Sequence, residues 1–183
     1  MAFKLRYPQM DVQEYANGYL KFRENYPEDL SLEEKFKSIP KPIFYLDKTL
    51  LHDVARWKSP RSAAHIYENS DEYIREITSL ALHAKEERSR IEILTVLDGV
   101  GWPMASVILH FFHPDQYPIL DFRALWSLNA EPPLQYDFQF WWSYVETCRD
   151  LSNKFGIDMT TLDRALWQYS KDHQGFEGKN VKK

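Results

Sequence analysis

Cysteine is nearly absent: Cys148 is the single one in 183 residues. One thiol excludes an internal disulfide, and also any zinc site or iron–sulfur cluster that needs four cysteines from this chain. Long apolar runs are missing too, and no window approaches the ~18 uninterrupted apolar residues that a membrane-spanning helix requires. The opening MAFKLRYPQMDVQEY has no apolar h-region, so secretion is not expected and a cytoplasmic location is. Nor is there an excess of positive charge. Lys and Arg number 23 against 27 Asp and Glu, a formal net charge of -4, which gives no global footprint for nucleic acid. Net charge averages over a surface, however, and RWKSPR (Arg56, Lys58, Arg61) reads either as a local basic patch or as a solvated loop. What is plentiful is apolar and aromatic: 44% hydrophobic and 15% aromatic residues suffice for one domain or two small lobes sharing a core.

The apolar residues recur with helical spacing. Val12, Tyr15, Ala16, Tyr19 and Leu20 form one stripe, and Tyr73, Ile74, Ile77, Leu80, Ala81 and Ala84 another. SLEE places Ser31 three residues before Glu34 as a capping box, SPR places Pro60 in a first helical turn after Ser59, and NSDEY offers Ser70 as a cap. Further helices are expected over about 47–57, 87–97, 103–112, 122–128, 137–154 and 161–171, with no convincing strand pair. Loops fall at PKP (40–42), HPDQYP (113–118) and NAEPP (129–133), and the last dozen residues read as frayed. DFRALW (121–126) is echoed by DRALW (163–167), an echo too short to be a repeat unit.

Glycine is scarce as well, six in all, yet two of the six stand within three positions in LDGVGWPMASVILHFFHPDQYPILD, residues 97–121. A helix ending near Leu97 there meets Gly99 and Gly101, and another begins at Pro103. Glycines in such a turn permit positive φ and close approach of backbone N–H groups to an anion, and the following helix adds its positive dipole end. Pro103 donates no N–H, which leaves the amides around Gly99, Gly101 and Met104 as donors to a phosphate oxygen. GVG alone is equally an αα corner that binds nothing.

The longer pattern resembles the helix-hairpin-helix/Gly-Pro-Asp superfamily of DNA glycosylases. That family's hairpin reads L-x-G-V-G-x-x-x-A, with a catalytic aspartate roughly 20 residues beyond, and Leu97, Gly99, Val100, Gly101, Ala105 and Asp121 fit it. YPILDFRALWSL is similar to the adenine-mismatch branch. The resemblance implies an all-α, two-lobed protein: a helical lobe of 30–112 that carries the hairpin (about 87–112), and a second lobe of 1–29 plus 113–183, with a cleft between them. It implies that Gly99, Val100, Gly101, Trp102 and Met104 at the hairpin, with Lys58 and Arg61, contact the DNA backbone, and that a base flips into a pocket near Trp57 and Arg123. Asp121 would then stabilise the positive charge that grows on the sugar or orient a water; alone, its position equally suits a helix N-cap.

Departures from the family pattern shape the expectation. Bifunctional members carry a Schiff-base lysine two positions after the second hairpin glycine, where this chain has Pro103, so hydrolysis without lyase activity is expected. The family's four-cysteine cluster and its Ser/Gln-rich pocket signature are missing. No cofactor and no metal is expected: His110, His113 and Asp115 have suggestive spacing but no evident third and fourth ligands, and a structural or surface role is favoured. Phe138, Trp141, Trp142 and Val145 read as core or as a base-stacking face, KEERSRIE as a solvated helix face, and Trp167 as buried in a packing helix. The leading expectation is a monofunctional DNA glycosylase of base excision repair, with duplex DNA as partner. A noncatalytic helix-hairpin-helix DNA-binding or interaction module, and a hydrolase of free modified nucleosides, stand beside it.

Overall fold

The computed structural model describes residues 3–39 and 44–174, and every regular element among them is helical. Nine α-helices run in chain order: α1 (Val12–Arg23), α2 (Pro27–Ser38), α3 (Lys48–Lys58), α4 (Asp71–His83), α5 (Glu87–Glu92), α6 (Trp102–Phe112), α7 (Phe122–Ser127), α8 (Phe138–Phe155) and α9 (Met159–His173). Two 3-10 turns, Ala63–Glu68 and Ile93–Val96, stand after α3 and α5.

Aspartate sets most of the starts. Asp11, Asp47, Asp121, Asp137 and Asp158 each cap a helix by accepting a backbone N–H two or three residues on, as Ser70 does for α4. Two expected starts fall elsewhere. Ser31 and Glu34 lie inside α2, because Pro27, whose ring presets a helical φ and needs no donor, opens that helix four residues earlier. Pro60 opens no helix: the residue before a proline is driven out of the helical region, Ser59 is non-helical (φ -154, ψ 86), and α3 stops at Lys58. The expected helix over 87–97 is α5 followed by a tighter 3-10 turn. PKP (40–42) and residues 175–183 lie outside the described residues, while Asp172 and His173 of the segment expected to fray complete α9.

The apolar stripes meet in one continuous core, where Leu51, Ile74, Ile108, Leu120, Trp141 and Leu166 lose all contact with solvent. Full burial of side chains of this size is worth roughly 1.5–3 kcal/mol each, so this shared interior dominates stability. Trp141 and Val145 are in it, with Phe138 and Trp142 partly buried against it, as the core reading requires. KEERSRIE is only partly a solvated face: Arg88 pairs with Glu92 in the open, but Arg90 turns inward to the carbonyls of Leu82 and Ala84 and to His113. An arginine there satisfies the last carbonyls of α4.

The chain closes on itself. α1 packs along α9, α7 and α8 also rest on α9, and the amides of Lys4 and Arg6 bond to the carbonyls of Leu128 and Ser127. The middle of the chain packs as α3 against α6 and the first 3-10 turn, and as α4 against α5 and the second. α2 touches α1, α3 and α6.

Candidate functional site

The hairpin is held from below. Asn69, 4% exposed, donates to the carbonyls of Ile66 and Asp98 and accepts the Asp98 amide, which fixes the turn between α5 and α6 against the first 3-10 segment. Gly99 has φ 82, and a Cβ there would stand 3.0 Å from both Ile66 Cδ1 and the Ser62 carbonyl oxygen. That glycine is required by conformation and by close packing of the chain on itself. Gly101 is different: its backbone is extended (φ -89, ψ 177), it N-caps α6 without a side chain, and a Cβ would meet only Pro103 Cδ at 3.9 Å. The first amides of α6 are therefore uncapped on an exposed glycine. Val100 and Met104 are buried, so their side chains belong to the core, and Trp102 is half-buried with its ring 6.5 Å from that of Trp141.

From α6 a ladder of side chains leads to Asp121. His110 Nδ1 donates to the Tyr117 carbonyl at 2.8 Å, Asp163 Oδ2 accepts the Ile119 amide at 2.9 Å, and the Tyr144 hydroxyl donates to the Ile119 carbonyl at 2.8 Å. Ser106 Oγ accepts the Leu120 amide while donating to the Pro103 carbonyl, both at 2.8 Å. The approach YPILD is thus an irregular stretch of chain whose backbone groups are held by α6, α8 and α9, a way to bury polar backbone without a sheet.

Asp121 at its end makes two contacts. Oδ1 accepts the Arg123 amide at 2.9 Å as the cap of α7, and Oδ2 accepts from Lys58 Nζ at 2.8 Å. Both partners of the ion pair are mostly shielded, 13% and 19% exposed. Burial alone would raise the Asp121 carboxyl, but the Lys58 charge and hydrogen bond, with the Arg123 amide, outweigh it and hold the group below the usual carboxylate range. Asp121 is ionised and pointed at a cavity of about 130 Å³. The rings of Tyr19, Trp57, Phe111 and Trp167 form much of its wall, and Asp163 and Arg164 bring polar groups from α9. A second space of about 320 Å³ shares Glu33, His110, Phe111, Thr160 and Arg164 with it.

The sequence-derived residues divide accordingly. Asp121, Lys58 and Trp57 come together at the cavity, and Arg123 stacks over Phe122 and Trp167 at 5.2 Å beside it. Of RWKSPR, Lys58 is turned inward to Asp121, while Arg56 and Arg61 face solvent. Trp167 is half-buried and lines the cavity rather than being sealed in a helix interface, because the wall beside it is open. His110 is a buried structural histidine: burial lowers its pKa more than the Tyr117 bond raises it, which keeps the ring neutral. His113 meets Arg90. Sequence reasoning missed Asp163, Tyr19 and Arg164. The one signal for Asp163 was the DFRALW/DRALW echo, whose two aspartates line the same cavity.

No family model, curated protein or solved structure matches the chain.

Proposed function

We propose that the chain is a monofunctional DNA glycosylase of the helix-hairpin-helix kind, which hydrolyses the N-glycosidic bond of a damaged, mismatched or modified base. The observation that carries the reading is an ionised aspartate, Asp121, at the wall of an aromatic cavity, 20 residues beyond a glycine hairpin whose helix has an uncapped start. Breaking an N-glycosidic bond builds positive charge on the sugar, and a fixed carboxylate stabilises it where water is scarce. The cavity takes Trp57 and Phe111 from 30–112, and Tyr19, Asp121 and Trp167 from 1–29 plus 113–183, which supports reading it as a cleft between two lobes. The hairpin, with Arg56 and Arg61 outward, supplies a phosphate track, and aromatic walls suit a flipped base.

Pro103 and the pairing of Lys58 with Asp121 leave hydrolysis as the proposed route, so borohydride should trap no covalent protein–DNA adduct. A trapped adduct on Lys58 would assign lyase chemistry to that amine. The deciding experiment is single-turnover incubation with duplex oligonucleotides carrying different lesions, followed by alkali to reveal abasic sites. Base release from duplex supports the proposal. Binding without release points to a noncatalytic module, and release from free nucleosides alone to a nucleoside hydrolase.

A further inference from the structure

Asp163 sits in the fifth position of α9, 8% exposed, and its two oxygens are treated differently. Oδ2 accepts the Ile119 amide at 2.9 Å and lies 3.4 Å from His110 Nδ1, whose own proton points to the nearer Tyr117 carbonyl. Oδ1 is buried and has no hydrogen-bond partner among the described residues. An oxygen buried without a partner is tolerable on a carboxylic acid and costly on a carboxylate, so the proton belongs on Oδ1. Trp57 Nε1 and Arg164 Nε, two donors on residues lining the same cavity, are likewise buried and unpartnered among the described residues.

The groups that face Asp163 come from every element around it: Lys58 on α3, His110 on α6, Asp121 ahead of α7, Tyr144 and Cys148 on α8, and Arg164 on α9 itself. Burial pushes the Asp163 carboxyl well above the carboxylate range, against the pull of the Ile119 amide and Lys58 and with the added push of Asp121. Asp121 is driven the other way. Two carboxyl groups of one cavity, displaced in opposite directions, divide into an acid and a charge stabiliser.

Within the glycosylase reading, on which this rests, we infer that Asp163 is the acid that protonates the departing base, and that the substrate is a neutral base presenting acceptor atoms to Asp163, Trp57 and Arg164. As the bond from the sugar C1′ to the base nitrogen breaks, its electron pair leaves with the base. The Oδ1 proton of Asp163 moves to a ring nitrogen or carbonyl oxygen of that base. Water adds to C1′ beside the Asp121 carboxylate and gives up a proton to it, and proton exchange with solvent restores both aspartates. The products are a free neutral base and an abasic sugar.

The test is Asp163→Asn, which keeps an oxygen for the Ile119 amide but has no proton to give. Two duplex substrates are compared: the neutral base that the wild type releases best, and the same base N-methylated to a fixed cation, which departs without protonation. Single-turnover release of the neutral base should fall roughly 10²–10⁴-fold in the variant, the range of general-acid catalysis, and release of the cationic base by less than about threefold. Wild-type release of the neutral base should decline as pH rises through the titration of Asp163, whereas the cationic base should show no such limb. Equal losses on both substrates would reduce Asp163 to a prop for Ile119 and overturn the inference alone, as would undiminished neutral-base release. If the variant does not fold, the two wild-type pH profiles decide, and parallel profiles overturn it. No base release by the wild type from any duplex overturns the proposed function and this inference together.

Discussion

A carboxylate that stays ionised against aromatic walls needs a counter-charge, and Lys58 brings one to Asp121 across 63 positions of sequence. Removing either partner has a distinct outcome. Asp121→Asn retains size and a capping oxygen but no charge; if the carboxylate supplies about 3–4 kcal/mol at the transition state, base release falls roughly 10²–10³-fold. DNA affinity should change little, the thermal midpoint should fall because Lys58, 13% exposed, loses its counter-charge, and a folded variant with near-normal excision would remove Asp121 from the chemistry. Lys58→Met leaves the shielded carboxylate unpaired, at a cost on the order of 3 kcal/mol in unfolding free energy. The sign follows from the direction of the shift. A carboxyl held low in the folded state stabilises the fold above its unfolded pKa, about 3.9, and that contribution disappears as pH falls through the folded value. Denaturant melts between about pH 5 and 2 should show this acid-side loss in the wild type and a shallower one in Lys58→Met.

Among the elements, α6 connects most of the site. Its N-terminus is the hairpin, Ser106 in its second turn holds Leu120, and His110 near its end holds Tyr117. The two hairpin glycines predict opposite behaviours. Gly99→Ala imposes a side chain on a positive φ and on a 3.0 Å contact with the Ser62 carbonyl, so it should destabilise the fold by roughly 1–3 kcal/mol. Gly101→Ala makes only an ordinary 3.9 Å contact with Pro103 Cδ, so stability should stay within about 0.5 kcal/mol while affinity falls for all duplex sequences alike. Unchanged affinity in that folded variant would remove the hairpin from the DNA interface. Helices with strong stripes and side-chain caps were legible from the chain, α3, α4, α8 and α9 among them, because both signals are local. Gly99, Gly101 and Asp121 stand out together in the chain only through the family resemblance. The family resemblance implies Lys58 at the DNA backbone with Arg61, and nothing local shows that Lys58, at the end of α3, turns inward to Asp121. Asp163 was hidden for the same reason: a lone aspartate in a helix acquires meaning only from the packing of α7 on α9.

Over the whole molecule the buried ionisable groups act in opposite senses: Asp163, its carboxyl raised by burial, favours the fold as pH falls, while His110 makes the fold sensitive to acid. His110 is neutral in the folded state with its pKa lowered first by burial, so the unfolded chain binds the proton more readily. Its contribution is present above the unfolded value of about 6.5 and is lost as pH falls below it. His110→Asn, whose side-chain amide can still donate to the Tyr117 carbonyl, should flatten the dependence of the thermal midpoint between pH 7 and 5. At this chain length each ~1 kcal/mol appears as roughly 2–4 °C. An identical slope in both proteins would show that other groups govern the acid limb.

The packing of α1 along α9 has a consequence in time. Tyr19 and Trp167, whose rings meet edge to face at 5.3 Å, form adjacent parts of the cavity wall, yet they belong to the first and last helices. At ribosomal speeds the partner of α1 follows it by roughly ten to thirty seconds. Until then the apolar stripe of α1 lacks the helix that covers most of it, and the cavity wall is incomplete until α9 has been made. A nascent chain halted before Met159 carries the whole glycine turn, and Asp121 with it, but neither Asp163 nor Trp167 of the cavity wall.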